Sequence, residues 1–66
     1  MDEYRIVKHL RRRKSGNVYV YHIEVLYRTG WEWVEFIPPH RHFEELLKCA
    51  HRMFKLDTSK MQVIEK

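Results

Sequence analysis

The sequence contains little cysteine, glycine or proline. Its single cysteine, Cys49, cannot form an internal disulfide, which excludes the framework of small disulfide-rich secreted proteins and favours a reducing, cytoplasmic environment. Only two glycines and two prolines occur among 66 residues, of which 44% are hydrophobic. That composition is typical of a folded domain and not of a disordered basic tail. With no repeat or linker evident, we expect one small domain over residues 1–66.

Long apolar runs are also missing. No stretch of about 18 apolar residues is available to span a bilayer, and the amino terminus lacks the apolar centre of a signal peptide. We therefore predict an intracellular protein that does not enter membranes. A core of this size typically contributes only about 3 to 5 kcal/mol, so binding to a partner or to a second copy would add to stability.

An uneven charge distribution is the most informative feature that remains. Seven basic and three acidic residues lie within the first 28 positions, and six of each follow, so the net charge of +4 is confined to the first part of the chain. The densest stretch is Arg11-Arg12-Arg13-Lys14, and Tyr and Trp are frequent in the segments that follow. Basic groups beside aromatic rings indicate a binding surface rather than a catalytic centre.

Three segments favour β-strands, because they are dense in β-branched or aromatic residues and are bounded by turn residues. They are Tyr4–Leu10, Val18–Tyr27 and Trp31–Ile37. Ser15-Gly16 and Thr29-Gly30 are the predicted turns between them, each as a two-residue loop.

These turns fix the predicted strand pairing. In the second hairpin Val25 lies opposite Val34, and Ile23 lies opposite Phe36. In the first hairpin Ile6 lies opposite Val25. Both registers place the apolar residues on one common face, and a slip of one residue in either would break that agreement.

The pattern changes after Pro38-Pro39. Apolar residues then recur at the i, i+3, i+4 spacing of an amphipathic helix, from about His42 to Lys55, and this helix is expected to cover the common face. Met61–Glu65 forms either a strand or an ordered tail, and we favour a strand. The predicted fold is therefore α+β, a three-stranded antiparallel β-meander packed on one C-terminal α-helix with a short fourth strand.

The other face of the predicted sheet is left open. Its expected members are Arg5, Val7, His9, Arg11, Arg13, Val20, His22, Glu24, Leu26, Trp31, Trp33, Glu35 and Ile37. The registers place Glu24 opposite Glu35, a like-charge pair that a cation from the first strand or from a partner would have to offset. They also place His9 opposite His22, as an exposed polar pair or as two rings that share a proton or an anion.

Two functions fit this face. In the first, a non-enzymatic nucleic-acid-binding module contacts phosphates with its basic residues and bases or sugars with two tryptophans: Arg5, Arg11, Arg12, Arg13, Lys14, Arg28, Trp31 and Trp33. In the second, the same face binds a protein, and its apolar contacts are Leu26, Trp33 and Ile37. The second class includes an adaptor, a phage-type or virus-type inhibitor of a larger protein, and a homodimer. Nucleic acid is preferred by a small margin, without distinguishing DNA from RNA.

Each observation behind the first function also has a plainer interpretation. Taken alone, a basic hairpin tip is more often a solubilising turn than a nucleic-acid contact. Trp31 and Trp33 would be less accessible if the carboxy-terminal segment covered them, since large apolar side chains prefer burial. The location of that segment therefore affects the functional argument directly.

Two resemblances follow from the layout. The meander and helix from Tyr4 to about Phe54, with an arginine-rich first hairpin, are similar to the plant ethylene-response type of DNA-binding domain and to the arm-binding domains of tyrosine recombinases. This implies a sheet face that enters a major groove. The run Trp33–Ile37, Phe43–Leu47, Phe54–Leu56 and Met61–Ile64 resembles the strand-helix-strand order of ubiquitin-like β-grasp domains, most of which bind proteins. That resemblance implies a last strand parallel to Val18–Tyr27.

We expect no enzyme activity, metal, cofactor or small-molecule substrate. His40-x-His42 and Cys49-x-His51 offer zinc-type ligands, but residues two apart on a helix differ by about 200° in direction and do not converge on one ion. The Ser and Thr residues lie in turns or in the tail without a positioned base, and no glycine-rich phosphate loop is present.

Overall fold

A computed structural model describes residues 3–66 of the chain. Met1 and Asp2, the second of which enters the charge count above, lie outside the described residues. The elements are β1 (Tyr4–Arg13), β2 (Gly16–Tyr27), β3 (Gly30–Trp33), α1 (Phe43–Phe54), a 3₁₀ turn (Thr58–Lys60) and β4 (Gln62–Glu65). The predicted α+β class, with an antiparallel meander and one α-helix, is confirmed in outline, although the complete sheet is mixed.

The four strands form one sheet in the order β3-β2-β1-β4. β2 is antiparallel to both β1 and β3, whereas β4 runs parallel to β1, with Arg5 beside Gln62 and Lys8 beside Glu65. The β-grasp resemblance implied that the last strand would pair with β2, and this expectation is wrong. Both edges of β2 are already occupied by β1 and β3, so the free edge of β1 accepts the last strand.

Both hairpin registers differ from the prediction by two residues. Ile6 lies opposite Ile23 rather than Val25, and Val25 lies opposite Glu32 rather than Val34. A shift of two residues leaves each side chain on its predicted face, because successive side chains of a strand alternate between faces. The predicted faces of β1 and β2 are therefore correct even though the predicted partners are wrong.

The turns explain the shift. The two-residue loops are Lys14-Ser15 and Arg28-Thr29, one position earlier than predicted. Gly16 and Gly30 follow these loops with φ values of 123° and 118°. Lys55 is the only non-glycine residue within 3–66 with positive φ, so neither loop is a type I′ turn, which requires positive φ at both central positions. Each glycine occupies the position after the turn, where glycine is favoured.

The helix covers the face that both registers selected. The core consists of Ile6, Ile23, Val25, Val34, Ile37, Leu46 and Ala50. Helix α1 matches the predicted range His42–Lys55, with those two residues as its caps. Lys55 adopts the left-handed conformation, and Leu56 N–H donates to the Ala50 carbonyl, which closes the last turn.

Strand β3 is shorter than predicted. It ends at Trp33, and the chain leaves the sheet before it returns to β2 at His40, which exchanges backbone hydrogen bonds with Tyr21. The intervening loop inserts Ile37 into the core, where it is fully buried. Its predicted place on the open face is wrong, because the alternation of a strand does not extend into a loop.

The β1–β2 hairpin extends beyond the helix. Every residue from Leu10 to Asn17 is exposed, and we call this segment the hairpin tip. The protein has dimensions of 40 × 28 × 19 Å. No helix within residues 3–66 is long and apolar enough to cross a membrane.

Candidate nucleic-acid interface

The open face is the side of the sheet opposite α1. Strand alternation and the contacts described below place on it Arg5, Val7, His9, Arg11, Val18, Val20, His22, Glu24, Leu26, Trp31 and Trp33. Several of these side chains are buried although no helix covers them, including Val7 and Val20. The open face therefore has its own small packed layer.

A polar cluster lies at the centre of this layer. Glu24 is only 6% exposed and lies between Arg5 and Trp33 on the neighbouring strands, not opposite Glu35 as predicted. Arg5 donates to Oε1 of Glu24 through Nε at 2.8 Å and Nη2 at 2.7 Å. The Lys66 ammonium lies 3.5 Å from Oε2. The first strand thus supplies the cation that the sequence required beside Glu24.

His22 completes the cluster. It is 4% exposed, and its Nε2 lies 3.1 Å from Oε2 of Glu24. Burial lowers the pKa of His22 below its ordinary value, although the hydrogen bond to Glu24 opposes that shift. Burial alone would raise the pKa of Glu24, but hydrogen bonds from His22 and Arg5 outweigh it and hold the pKa of this carboxyl below its ordinary value. The pair is therefore a neutral imidazole and a carboxylate near pH 7.

These protonation states determine the tautomers of two histidines. A carboxylate only accepts hydrogen bonds, so Nε2 of His22 carries the proton and Nδ1 of the neutral ring is an acceptor. Nδ1 of His9 lies 3.0 Å from Nδ1 of His22 and must therefore be the donor. His9 and His22 are in contact, but as diagonal neighbours and not as direct partners, and the interpretation as an exposed polar pair is wrong because His22 is buried.

Aromatic side chains cover this cluster. The Trp33 ring stacks on His22 with centroids 3.9 Å apart and planes 9° apart. The His9 ring is steeply inclined to both, at 66° to His22 and 68° to Trp33, and the Arg5 guanidinium lies 4.2 Å from the centroid of Trp31. Trp33 remains 43% exposed, so one face of its indole is open to solvent. Strand β4 lies at the opposite edge of the sheet from β3, and it does not cover the tryptophans.

The hairpin tip carries the basic stretch Arg11-Arg12-Arg13-Lys14. All four side chains are exposed, and none has an ion-pair partner within residues 3–66. Arg11 and Arg13 are on the side of the open face, and Arg12 is on the other side of the ribbon. By contrast, Lys8 in the same strand lies 3.6 Å from Glu65.

The predicted nucleic-acid contacts do not all meet in one place. Arg28 is exposed in the β2–β3 turn, at the end of β2 away from the hairpin tip. A strand of this length separates its ends by about 40 Å. Arg5 is engaged by Glu24 and stacked on Trp31, so its guanidinium is used within the protein. The tip and Trp33 are the predicted contacts that remain available near one another.

A cleft connects the tip to Trp33. It has a volume of about 430 Å³ and is lined by Arg11, Trp33, Glu35 and Pro39. The sequence interpretation missed this feature, because it continued the third strand to Ile37. Pro38-Pro39 was the available sign that the strand ends earlier, since proline cannot donate to a sheet.

Within residues 3–66, no three His, Cys, Asp or Glu side chains are grouped closely enough to form a metal site. Comparison with known proteins finds no family model, no curated protein and no solved structure that matches this chain.

Proposed function

We propose that the protein is a non-enzymatic nucleic-acid-binding module, whose hairpin tip contacts phosphates and whose open face contacts bases or sugars. The observation that carries this proposal is the run of four exposed cations that have no ion-pair partner within residues 3–66, beside a cleft that includes Trp33. Cations that neutralise phosphates release condensed counterions, which favours binding without regard to sequence. Exposed indole and guanidinium groups add stacking on bases.

The buried acidic residue of the open face, Glu24, does not oppose this function. Glu24 is buried and contacts Arg5, His22 and Lys66, so its negative charge is offset locally. The four cations of the tip, which have no ion-pair partner within residues 3–66, outnumber the single carboxylate of Glu35 in the adjoining cleft, so a polyanion that approaches the first hairpin meets a net positive charge. Long-range attraction of a polyanion to such a patch increases the association rate.

The same cluster supports a binding role rather than a catalytic one. His22 and Glu24 have the arrangement of a general base and its orienting acid. However, His22 is covered by the Trp33 ring on one face and contacts His9 and Glu24 through its nitrogens. A substrate would have no access to it. The proposal also retains the cytoplasmic location expected from Cys49, a free thiol.

Charge reversal at the tip tests this function. We expect the Arg11→Glu, Arg13→Glu double variant to bind every nucleic acid more weakly than the wild type. Its affinity should also depend less on salt, because about 0.7 to 0.9 units of log–log slope are lost per phosphate contact. Fluorescence anisotropy of labelled duplex DNA, single-stranded DNA and RNA, between about 50 and 200 mM salt, measures both quantities.

A matched control separates a local effect from net charge. Lys48→Glu with Lys60→Glu changes the charge equally at two exposed positions away from the tip. It should bind nearly as well as the wild type. Equal losses in both double variants, or unchanged affinity in the tip variant, would contradict the proposal.

The exposed apolar part of the open face favours a second candidate, a protein-interaction module or homodimer. Leu26 is 38% exposed on the same face as Trp33. Trp33→Ala should then abolish the complex, whereas added salt should change little. If no nucleic acid binds, sedimentation of the protein alone would test for a homodimer. Binding of a protein partner by the wild type and by Trp33→Ala, at low and at high salt, would then test for a complex with another protein.

A further inference from the structure

We infer that the cleft between the hairpin tip and the β3–α1 loop is a single-nucleotide site that takes one unstacked base of a single strand, with a preference for guanine. This inference rests on the proposed nucleic-acid function and names the ligand of one part of the face. Its walls are Arg11, Trp33, Glu35 and Pro39, and the tip continues from its Arg11 side. The cleft is open to solvent on one side, and its volume of about 430 Å³ is comparable to that of small-ligand sites, so a bound base would remain partly exposed.

Trp33 provides the stacking surface of the cleft. One face of its indole is fixed against His22, which holds the ring in a single orientation. His22 is in turn held by His9 and Glu24. The exposed face of Trp33 is therefore a rigid platform, and a base stacked there would extend an existing aromatic stack at little cost in side-chain entropy. A base inside a duplex is already stacked on both sides, so this platform suits a single strand.

The cleft also contains one positive and one negative side chain. Arg11 and Glu35 line the same cleft but do not form an ion pair with each other. Neither has another ion-pair partner within residues 3–66. A nucleotide has the complementary arrangement, since its phosphate is anionic and its base edge carries hydrogen-bond donors. Arg11 would bind the phosphate, and the tip beyond it would bind the phosphates that follow along the strand.

Glu35 selects the base. The carboxylate of Glu35 has two acceptor oxygens and accepts from donors on a base edge. Guanine presents two adjacent donors on its Watson–Crick edge, N1–H and the N2 amino group. Thymine and uracil present one donor between two carbonyl oxygens, which a carboxylate repels. In a duplex the Watson–Crick donors of guanine are used in base pairing, so the preference requires a single strand.

The experiment compares strands that differ at one position. Strands of about nine thymidines, with or without one central guanine, suit the length that small single-strand binders cover. We expect the guanine strand to bind the wild type about ten-fold more tightly. Glu35→Gln should remove most of this difference. Glu32→Gln, the same exchange at an exposed residue of β3 that does not line the cleft, should retain it.

Tryptophan fluorescence reports whether the base reaches the cleft. In a Trp31→Phe background Trp33 is the only tryptophan, and the phenyl ring keeps an aromatic surface beneath Arg5. The guanine strand should quench this fluorescence, and its duplex should quench it much less. Equal affinity for the two strands, a guanine preference that survives Glu35→Gln, or equal quenching by the duplex would each overturn the single-nucleotide site.

The same data distinguish this inference from the broader function. If strands bind with a salt dependence that Arg11→Glu with Arg13→Glu reduces, but without base preference or quenching, only the single-nucleotide site is wrong. If no strand or duplex binds the wild type at about 50 mM salt, the site and the nucleic-acid function are both wrong.

Discussion

The base and the tip of the first hairpin both contain arginines, but these arginines have different roles. In the base of the hairpin, Arg5 is packed on Trp31 and paired with the buried Glu24. In the tip, Arg11, Arg12 and Arg13 are exposed without ion-pair partners in the described chain. Arg5 stabilises the fold, whereas Arg11, six positions later in the same strand, and the arginines that follow it are available to bind a ligand.

The difference shows that composition alone does not identify a binding arginine. The sequence interpretation assigned Arg5 and Arg11 to one set of phosphate contacts. Their roles differ because a carboxylate lies opposite Arg5, whereas Val18 lies opposite Arg11. Three predictions test this contrast, and the expected effects decrease from the base of the hairpin to its tip.

The largest expected effect is the loss of stability when the Glu24 carboxylate is removed. Glu24→Gln leaves the guanidinium of Arg5 without its counter-charge in a largely buried cluster, which typically costs about 3 kcal/mol or more. A domain of this size has only about 3 to 5 kcal/mol in total, so much of the variant should be unfolded at 25 °C. Urea denaturation at pH 7 measures the loss. Glu35→Gln, an exposed change of the same kind, should cost under about 0.5 kcal/mol. Equal stability of the two variants would show that the cluster contributes nothing.

An intermediate effect is expected from pH. The folded state lowers the pKa of His22 from 6.5, so below pH 6.5 the unfolded chain binds a proton that the folded chain does not. Stability should therefore fall as the pH drops from 7 towards the folded-state pKa, by at most about 1.4 kcal/mol per pH unit. Glu24, whose pKa is lowered from 4.5, adds a further loss below that value.

Thermal unfolding between pH 7 and 5 measures this dependence. His22→Gln should flatten the profile in that range, whereas His51→Gln, at an exposed position of α1, should leave it unchanged. A wild-type profile that is already flat over this range would contradict the neutral, buried state of His22.

The smallest effect is expected at the tip. Arg12→Met should change the free energy of unfolding by no more than about 0.5 kcal/mol. The sign should be stabilising at low salt, since like charges on adjacent residues repel, and the effect should shrink as salt is added. Arg5→Met is the matched exchange in the base of the hairpin and should be clearly destabilising. Similar losses in both variants would remove the distinction between the two halves.

The sequence was sufficient to predict which side chains of β1 and β2 share a face, because that depends only on the alternation along each strand. It was not sufficient for the strand partners, which depend on whether glycine lies inside a turn or after it. The fate of Ile37 also escaped prediction, since a loop and not a strand carries it into the core. The cleft depends on that loop, so it could not be inferred before the loop was known.

For the polar cluster too, the sequence predicted which side chains share a face but not how they pack. Its members Arg5, His9, His22 and Glu24 were correctly placed together on the open face. The burial of His22 was not foreseen, because it depends on the Trp33 ring that stacks on it. The partner of β4 was also beyond local patterns, since β1 and β3 each offer a free edge and the alternation along a strand does not choose between them.

The parallel pairing of β4 with β1 also determines when this fold can be completed. Arg5 lies beside Gln62, so the pairing closes a loop of about 57 residues, and closure of long loops slows folding. While the chain emerges from the ribosome, the β1–β2 hairpin can form early, but the second edge of β1 has no neighbour until residues 62–65 follow. During that interval the edge is a template for pairing with other chains. A chaperone that covers this edge at the exit of the ribosome should therefore limit aggregation during synthesis.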